Sequence, residues 1–230
     1  MSVPFDSGYS QDSSPSLFHI RPSQVSSIGT LDPTKCQGIV IDVDTDGGLE
    51  NIDRLNRYVP LRRFEGGEAR HVSGAGFSFE HIRELQAKNS SVPIILKGVM
   101  TVEDALEAAK SGVSCVWVSN DNKDSDSVPS PISALRAISK ALKKEAPHVE
   151  VWFSGGVRRG TDVVKAIAFG ATAVFLDTST VLFAMYSTKS LEGLESMINM
   201  INTEVGVAMI LTYCKQISDV TEEQIIQGVR

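Results

Sequence analysis

Residues 151–162 read VWFSGGVRRGTD. Paired glycines and paired arginines at the end of a β-rich run can hold an anion. Gly155 and Gly156 let the backbone turn sharply and approach a ligand closely. A helix starting near Gly160 would aim its free N–H groups at the same spot. Arg158 adds a forked cation. These features describe a phosphate cradle. They also describe a plain tight turn with solvated arginines, and the local stretch leaves both readings open.

Other residues with chemical capacity fall in the same kind of place. Asp44 and Thr45, Lys97 and Gly98, Ser119 and Asn120, Ser154 to Gly156, and Asp177 and Thr178 each close or follow an apolar, β-branched run. The loop DNKDSDSVPSP (121–131) carries three acids and raises a calcium reading. It lacks the glycine and the distant glutamate of a calcium loop, so a solvated loop is the better reading. His19, His71, His81 and His148 read as surface or packing residues. Among them His71 has the best claim to a role, because it lies in a long connection able to fold over the strand ends. Cys36, Cys115 and Cys214 are odd in number and have no metal-ligand spacing, so buried reduced thiols and no metal are expected.

The elements that must position these residues alternate. Strands are expected at 38–45, 92–99, 113–120, 149–156 and 171–177, with a weaker one at 16–23. Helices are expected after Thr101, which would cap its first turn, and over 131–146, 160–170 and 191–214. In the 131–146 helix, Ile132, Leu135, Ile138 and Leu142 share one face. Nearly all-apolar strands point to a parallel sheet covered by helices. Repeated βα units suggest either a (β/α) barrel or a doubly wound sheet, and in both the ligand edge is at the strand C-termini. No GxGxxG follows a strand, which favours the barrel.

The whole chain has 230 residues, is 42% hydrophobic and carries a net charge of −6. That suits one sizeable core, with residues 1–15 expected as a disordered arm and 16–230 as a single domain. No basic stripe suggests nucleic acid, and no apolar run suggests a membrane span. The first residues do not read as a signal peptide and QGVR is not a peroxisomal tripeptide, so a cytoplasmic rather than peroxisomal setting is expected.

The run SGGVRRGTDVVKAIAFGATAVF closely resembles the DGGVRRGTDVxKAxxxGAxxVF segment of the FMN-dependent α-hydroxy acid oxidase and dehydrogenase family. VPIILKGVMTVEDALEAAKSGV is similar to that family's lysine-bearing fifth strand and following helix, CVWVSN to its sixth strand, and IVIDVDT to its fourth. SLFHIRPS is a weaker match to the third. The resemblance implies a TIM barrel, with strands three to eight recognisable and no match to the first two. It implies FMN at the strand C-termini, that is, a flavoprotein. Lys97 would contact the flavin ring and stabilise negative charge on it, and Ser119 would hydrogen-bond it. Ser154, Gly155, Gly156, Val157 and Arg158 would hold the ribityl and phosphate portion. Asp44 matches a carboxylate that supports the catalytic histidine.

The departures from the family are severe. Asp121 stands where the histidine base belongs, and Asp124 where an arginine clamps the substrate carboxylate. Glu50 or Asn51 is nearest to a second substrate arginine, Asp42 replaces a threonine, and Ser154 replaces an aspartate. The Gly-Arg pair after strand eight is Asp177 and Thr178. Losing a general base typically costs about 10²- to 10⁴-fold. Beside a phosphate, a carboxylate at about 4 Å costs on the order of 4 kcal/mol at an effective dielectric of about 20. Three expectations follow: a catalytically inactive family derivative with weak or lost FMN binding; an altered oxidoreductase using Asp44 or His71; or an interaction protein. In the last, unclosed barrel edges would join another copy or a different partner.

Overall fold

The computed structural model describes residues 16–20, 22–43, 78–120, 129–188 and 191–225. Asp44, Glu50, Asn51, His71, Asp121, Asp124 and the arm at 1–15 lie outside them. Six strands are seen among the described residues: β1 (Ser16–Ile20), β2 (Cys36–Asp42), β3 (Ile94–Lys97), β4 (Cys115–Val118), β5 (Glu150–Ser154) and β6 (Ala173–Phe175). Six helices accompany them: α1 (Phe79–Lys88), α2 (Val102–Lys110), α3 (Pro131–Glu145), α4 (Gly160–Ala168), α5 (Thr178–Thr188) and α6 (Leu191–Leu211). Neither α1 nor α5 is foreseen in the sequence reading. None of the described helices is long and apolar enough to cross a membrane.

All five strand pairings are parallel, and the sheet order is β1-β2-β3-β4-β5-β6. This order decides between the two architectures left open by the periodicity. A doubly wound sheet reverses its strand order at a switch point, whereas a barrel adds each strand to the same growing edge. The strands form an incomplete (β/α) barrel of the TIM type.

Alternation along each strand explains the two layers. Ile39, Ile41, Ile94, Leu96, Val116, Val118, Val151 and Phe153 face outward into the main core, where Ile82, Leu85, Leu135, Ile138 and Leu142 meet them from the helices. Val40, Ile95, Cys115 and Trp117 face inward, with Leu17, Trp152 and Phe175 packed against them. Burial on both sides is why the strands read as continuous apolar runs. Leu135, Ile138 and Leu142 are almost wholly buried, and each contributes roughly 1.5–3 kcal/mol by leaving water. Burial also pushes the Cys115 thiol well above its ordinary value, consistent with a packing role. At α2, Thr101 Oγ1 accepts the Asp104 N–H at 3.2 Å, the cap expected from the sequence.

Candidate functional site

The inner face ends in a polar layer at the strand C-termini. Register places Asp42 beside Lys97, Lys97 beside Trp117, and Trp117 beside Trp152. Adjacent parallel strands in register present the same face, so these four side chains form one row. Lys97 Nζ donates to Asp42 Oδ2 at 2.7 Å, with side chains only 11% and 14% exposed. The ammonium also lies 5.7 Å from the Trp117 ring centroid, within cation–π reach. Trp117 stacks on Phe175 at 4.2 Å and meets Trp152 edge-on at 5.7 Å and His19 at 6.3 Å. Its indole Nε1–H donates to Ser154 Oγ at 3.0 Å, satisfying the one polar atom of a ring that is 7% exposed. Ser119, directly after β4, is almost fully buried.

The glycine-arginine turn follows β5. Gly155 has φ 120° and Gly156 φ 72°, conformations that L side chains rarely adopt. A Cβ on Gly155 would also lie 2.7 Å from Pro131 Cγ. The turn therefore needs glycine at 155 and favours it at 156, and its backbone donors do converge. They converge on carboxylates of this chain. Gly156 N–H donates to Asp177 Oδ2 at 2.9 Å. Arg158 and Arg159 N–H donate to Asp162 Oδ2 at 3.2 and 3.1 Å. Gly160 N–H donates to Glu204 Oε2 at 2.7 Å, and Glu204 Oε1 lies 3.5 Å from Arg159 Nε. Val157 is fully buried, while Arg158 and Arg159 are exposed. A cleft of about 420 Å³ opens beside this turn, lined by Asn120, Pro131, Gly155, Gly156 and Val157 among others, within the size range of small-molecule sites.

The strand-end residues Lys97, Ser119 and Ser154 thus lie at one edge of the sheet, with Lys97 and Ser154 joined through Trp117. Four residues in this mouth receive no role from the sequence: Trp117 and Phe175, which fill the inner face, and Asp162 and Glu204, which take the turn's N–H groups. Trp117 is foreshadowed by period-2 alternation, because it lies two residues beyond the inward Cys115 just as Lys97 lies two beyond the inward Ile95. Nothing local announces Glu204, which arrives from α6, 44 residues further along the chain.

Comparison with known proteins gives this geometry a lineage. Residues 34–227 match the model of the FMN-dependent dehydrogenase family. Glycolate oxidase 1 of Oryza sativa subsp. indica is 35% identical over 211 residues, covering 82% of this chain and 56% of that protein. Glycolate oxidase 3 of Arabidopsis thaliana is 33% identical over 211 residues, with the same coverage. A mandelate oxidase variant solved with a monooxide FMN adduct superposes with a TM-score of 0.63 at 27% identity, covering 89% of this chain and 60% of that one. The chain thus spans little more than half the length of the curated relatives it matches. It belongs to the FMN-dependent dehydrogenase family.

Proposed function

We propose that this chain is a 2-hydroxy acid oxidase-like protein that keeps a flavin-class site at its barrel mouth but does not oxidise 2-hydroxy acids. The observation that carries this reading is the Lys97–Asp42 ion pair at 2.7 Å. In the family, the matching lysine lends positive charge to the flavin ring as it gains electrons. Here a carboxylate already neutralises that cation. Stabilisation of developing charge depends on preorganised groups aimed at it, and a paired ammonium offers little net field. The sequence points the same way, since Asp121 and Asp124 replace the base and the carboxylate clamp.

The residues at the mouth fit FMN only in part. Lys97, Ser119 and the aromatic inner face suit a planar ring system. The glycine turn does not suit a terminal phosphate, because the N–H groups of Gly156, Arg158, Arg159 and Gly160 already donate to carboxylates. The deciding experiment is an anaerobic visible spectrum of the protein with excess FMN, before and after glycolate, lactate or a longer 2-hydroxy acid. No bleaching of the flavin band is expected. Bleaching above a flavin-only control would reject the inactive reading.

A role in association is a second reading, favoured by one feature. On α5, Leu182, Phe183 and Tyr186 are 59%, 76% and 80% exposed, a cluster of large apolar side chains beside the edge strand β6. Sedimentation velocity tests it: a concentration-independent monomer would count against it.

A further inference from the structure

We propose that Asp177 selects which flavin this mouth accepts, and that it favours one ending in a hydroxyl, of the riboflavin class, over phosphorylated FMN. The proposal rests on the flavin reading above and names the ligand class within it.

The fold itself puts the carboxylate on the glycine turn, where the family resemblance implies a phosphate contact. Ser154 on β5 is in register with Phe175 on β6. Gly156 and Asp177 each lie two residues further on, so the end of β6 delivers Asp177 to the Gly156 N–H. The bond there measures 2.9 Å, and Asp177 is half-buried. Gly156 sits at φ 72°, a conformation glycine adopts without strain, and in it the N–H points at the Asp177 carboxylate. A phosphate arriving at this donor must displace Asp177 and then sit against its charge. The neighbouring backbone donors of Arg158, Arg159 and Gly160 are held by Asp162 and Glu204, so an anion here would meet the exposed Arg158 side chain while still facing the Asp177 charge. A hydroxyl meets the opposite situation. It can donate to the resident carboxylate, forming a charge-assisted bond with no displacement. Acidic residues use the same chemistry in dinucleotide-binding folds, where they accept from a ribose hydroxyl that a phosphorylated cofactor lacks.

The test is a fluorescence titration of the purified chain with riboflavin and with FMN, repeated on Asp177→Asn and Asp177→Gly. Asparagine keeps an acceptor for the Gly156 N–H and so preserves the turn while removing the charge. In the unmodified chain riboflavin should bind at least about tenfold more tightly than FMN, and both variants should erase or invert that ratio. Equal or tighter binding of FMN by the unmodified chain, or a ratio unchanged in both variants, overturns the proposal. A separate arm uses inorganic phosphate alone, read by the Gly156 amide resonance. That resonance should move with phosphate in Asp177→Gly and stay still in the unmodified chain. If neither flavin binds any of the three chains, the flavin reading falls and the choice between flavins falls with it. The phosphate arm then decides whether Asp177 blocks the anion position, and equal movement in both chains would reject that too.

Discussion

The two faces of the sheet differ in kind. The outer face is mostly aliphatic, and side chains such as Ile39, Leu96 and Phe153 meet helix residues such as Leu135. The inner face carries Trp117, Trp152 and Phe175 and ends in the Lys97–Asp42 pair. An aliphatic layer specifies a fold by volume and pattern and tolerates few polar changes. The mouth can exchange whole functional groups without disturbing that layer, since its residues sit at strand ends. Asp42, Ser154 and Asp177 stand where the family resemblance places other residues, yet each has a partner: Lys97, Trp117 and Gly156. Each of these residues is satisfied within the chain, so the mouth can differ from the family pattern while the scaffold stays folded.

The largest effect concerns turnover. Loss of a general base alone is worth about 10²- to 10⁴-fold, and under the proposed inactive reading the clamp and the flavin cation are compromised as well. Asp121→His alone should therefore restore no measurable oxidation of 2-hydroxy acids with excess FMN. Asp121→His with Asp124→Arg should also fail while Asp42 still pairs with Lys97. If the unmodified chain turns over and Asp44→Ala abolishes it, the mouth has kept chemistry of its own and the contrast between the faces is wrong. Next in size is the outer layer. Phe153→Ala removes a side chain that is 1% exposed and should cost about 3–5 kcal/mol in a urea titration. Asp42→Asn strips one partner from a nearly buried pair and should cost less, about 1–3 kcal/mol, because the Lys97 side chain retains some access to water. A reversed order would show that the mouth, not the outer layer, dominates stability.

The outer layer was legible from the sequence, and the mouth only in its family residues. Runs such as IVI, IIL and VWV are continuously apolar, the mark of strands buried on both faces, and α3 shows its buried face at Leu135, Ile138 and Leu142 in the spacing alone. The C-terminal strand ends fall short of those expected, because the polar residues closing each run, such as Ser119 and Asn120, follow the strand rather than belong to it, while β2 begins two residues earlier than expected, at Cys36. Helix α5 went unread since its TSTVLFAMYST lacks a polar face. The partners at the mouth were hidden for another reason. Asp42 and Lys97 are 55 positions apart, and Gly156 and Asp177 are 21 apart. Only the strand register brings them together, and no local pattern encodes it.

Below these effects comes the contact between α4 and α6. A Cβ on Gly160 would lie 2.4 Å from the Val205 backbone N. Backbone cannot rotate aside, so Gly160→Ala must push α6 away and weaken the Glu204 bond to the Gly160 N–H. Overpacking of this kind costs about 1–3 kcal/mol. Thermal denaturation should show the loss, and Glu204→Gln should cost less, because the amide oxygen still accepts that N–H. If Gly160→Ala proves neutral, the helices have room to slide and the turn at Gly156 is less rigid than its geometry implies.

The smallest expected effect is a pH response at the edge of the outer layer. Glu222, in the short turn Glu222–Gln224, accepts from Lys140 at 2.7 Å and from Arg136, and so ties the C-terminal segment to α3. Hydrogen bonds from Lys140 first, and then from Arg136, hold its carboxyl below the ordinary value of 4.5. A carboxyl lowered on folding adds stability that is fully present above its unfolded value and is lost as pH falls through the folded one. Acidification from neutral should therefore leave the segment docked until pH drops below about 4.5, then loosen it while the sheet persists. Amide exchange of residues 217–225, compared at neutral and acid pH, measures this directly. Glu222→Gln should show the looser exchange already at neutral pH and little further change on acidification. A segment whose protection is insensitive to both changes would be held by Val220 and Ile225 packing rather than by charge, extending the outer layer's aliphatic character to its rim.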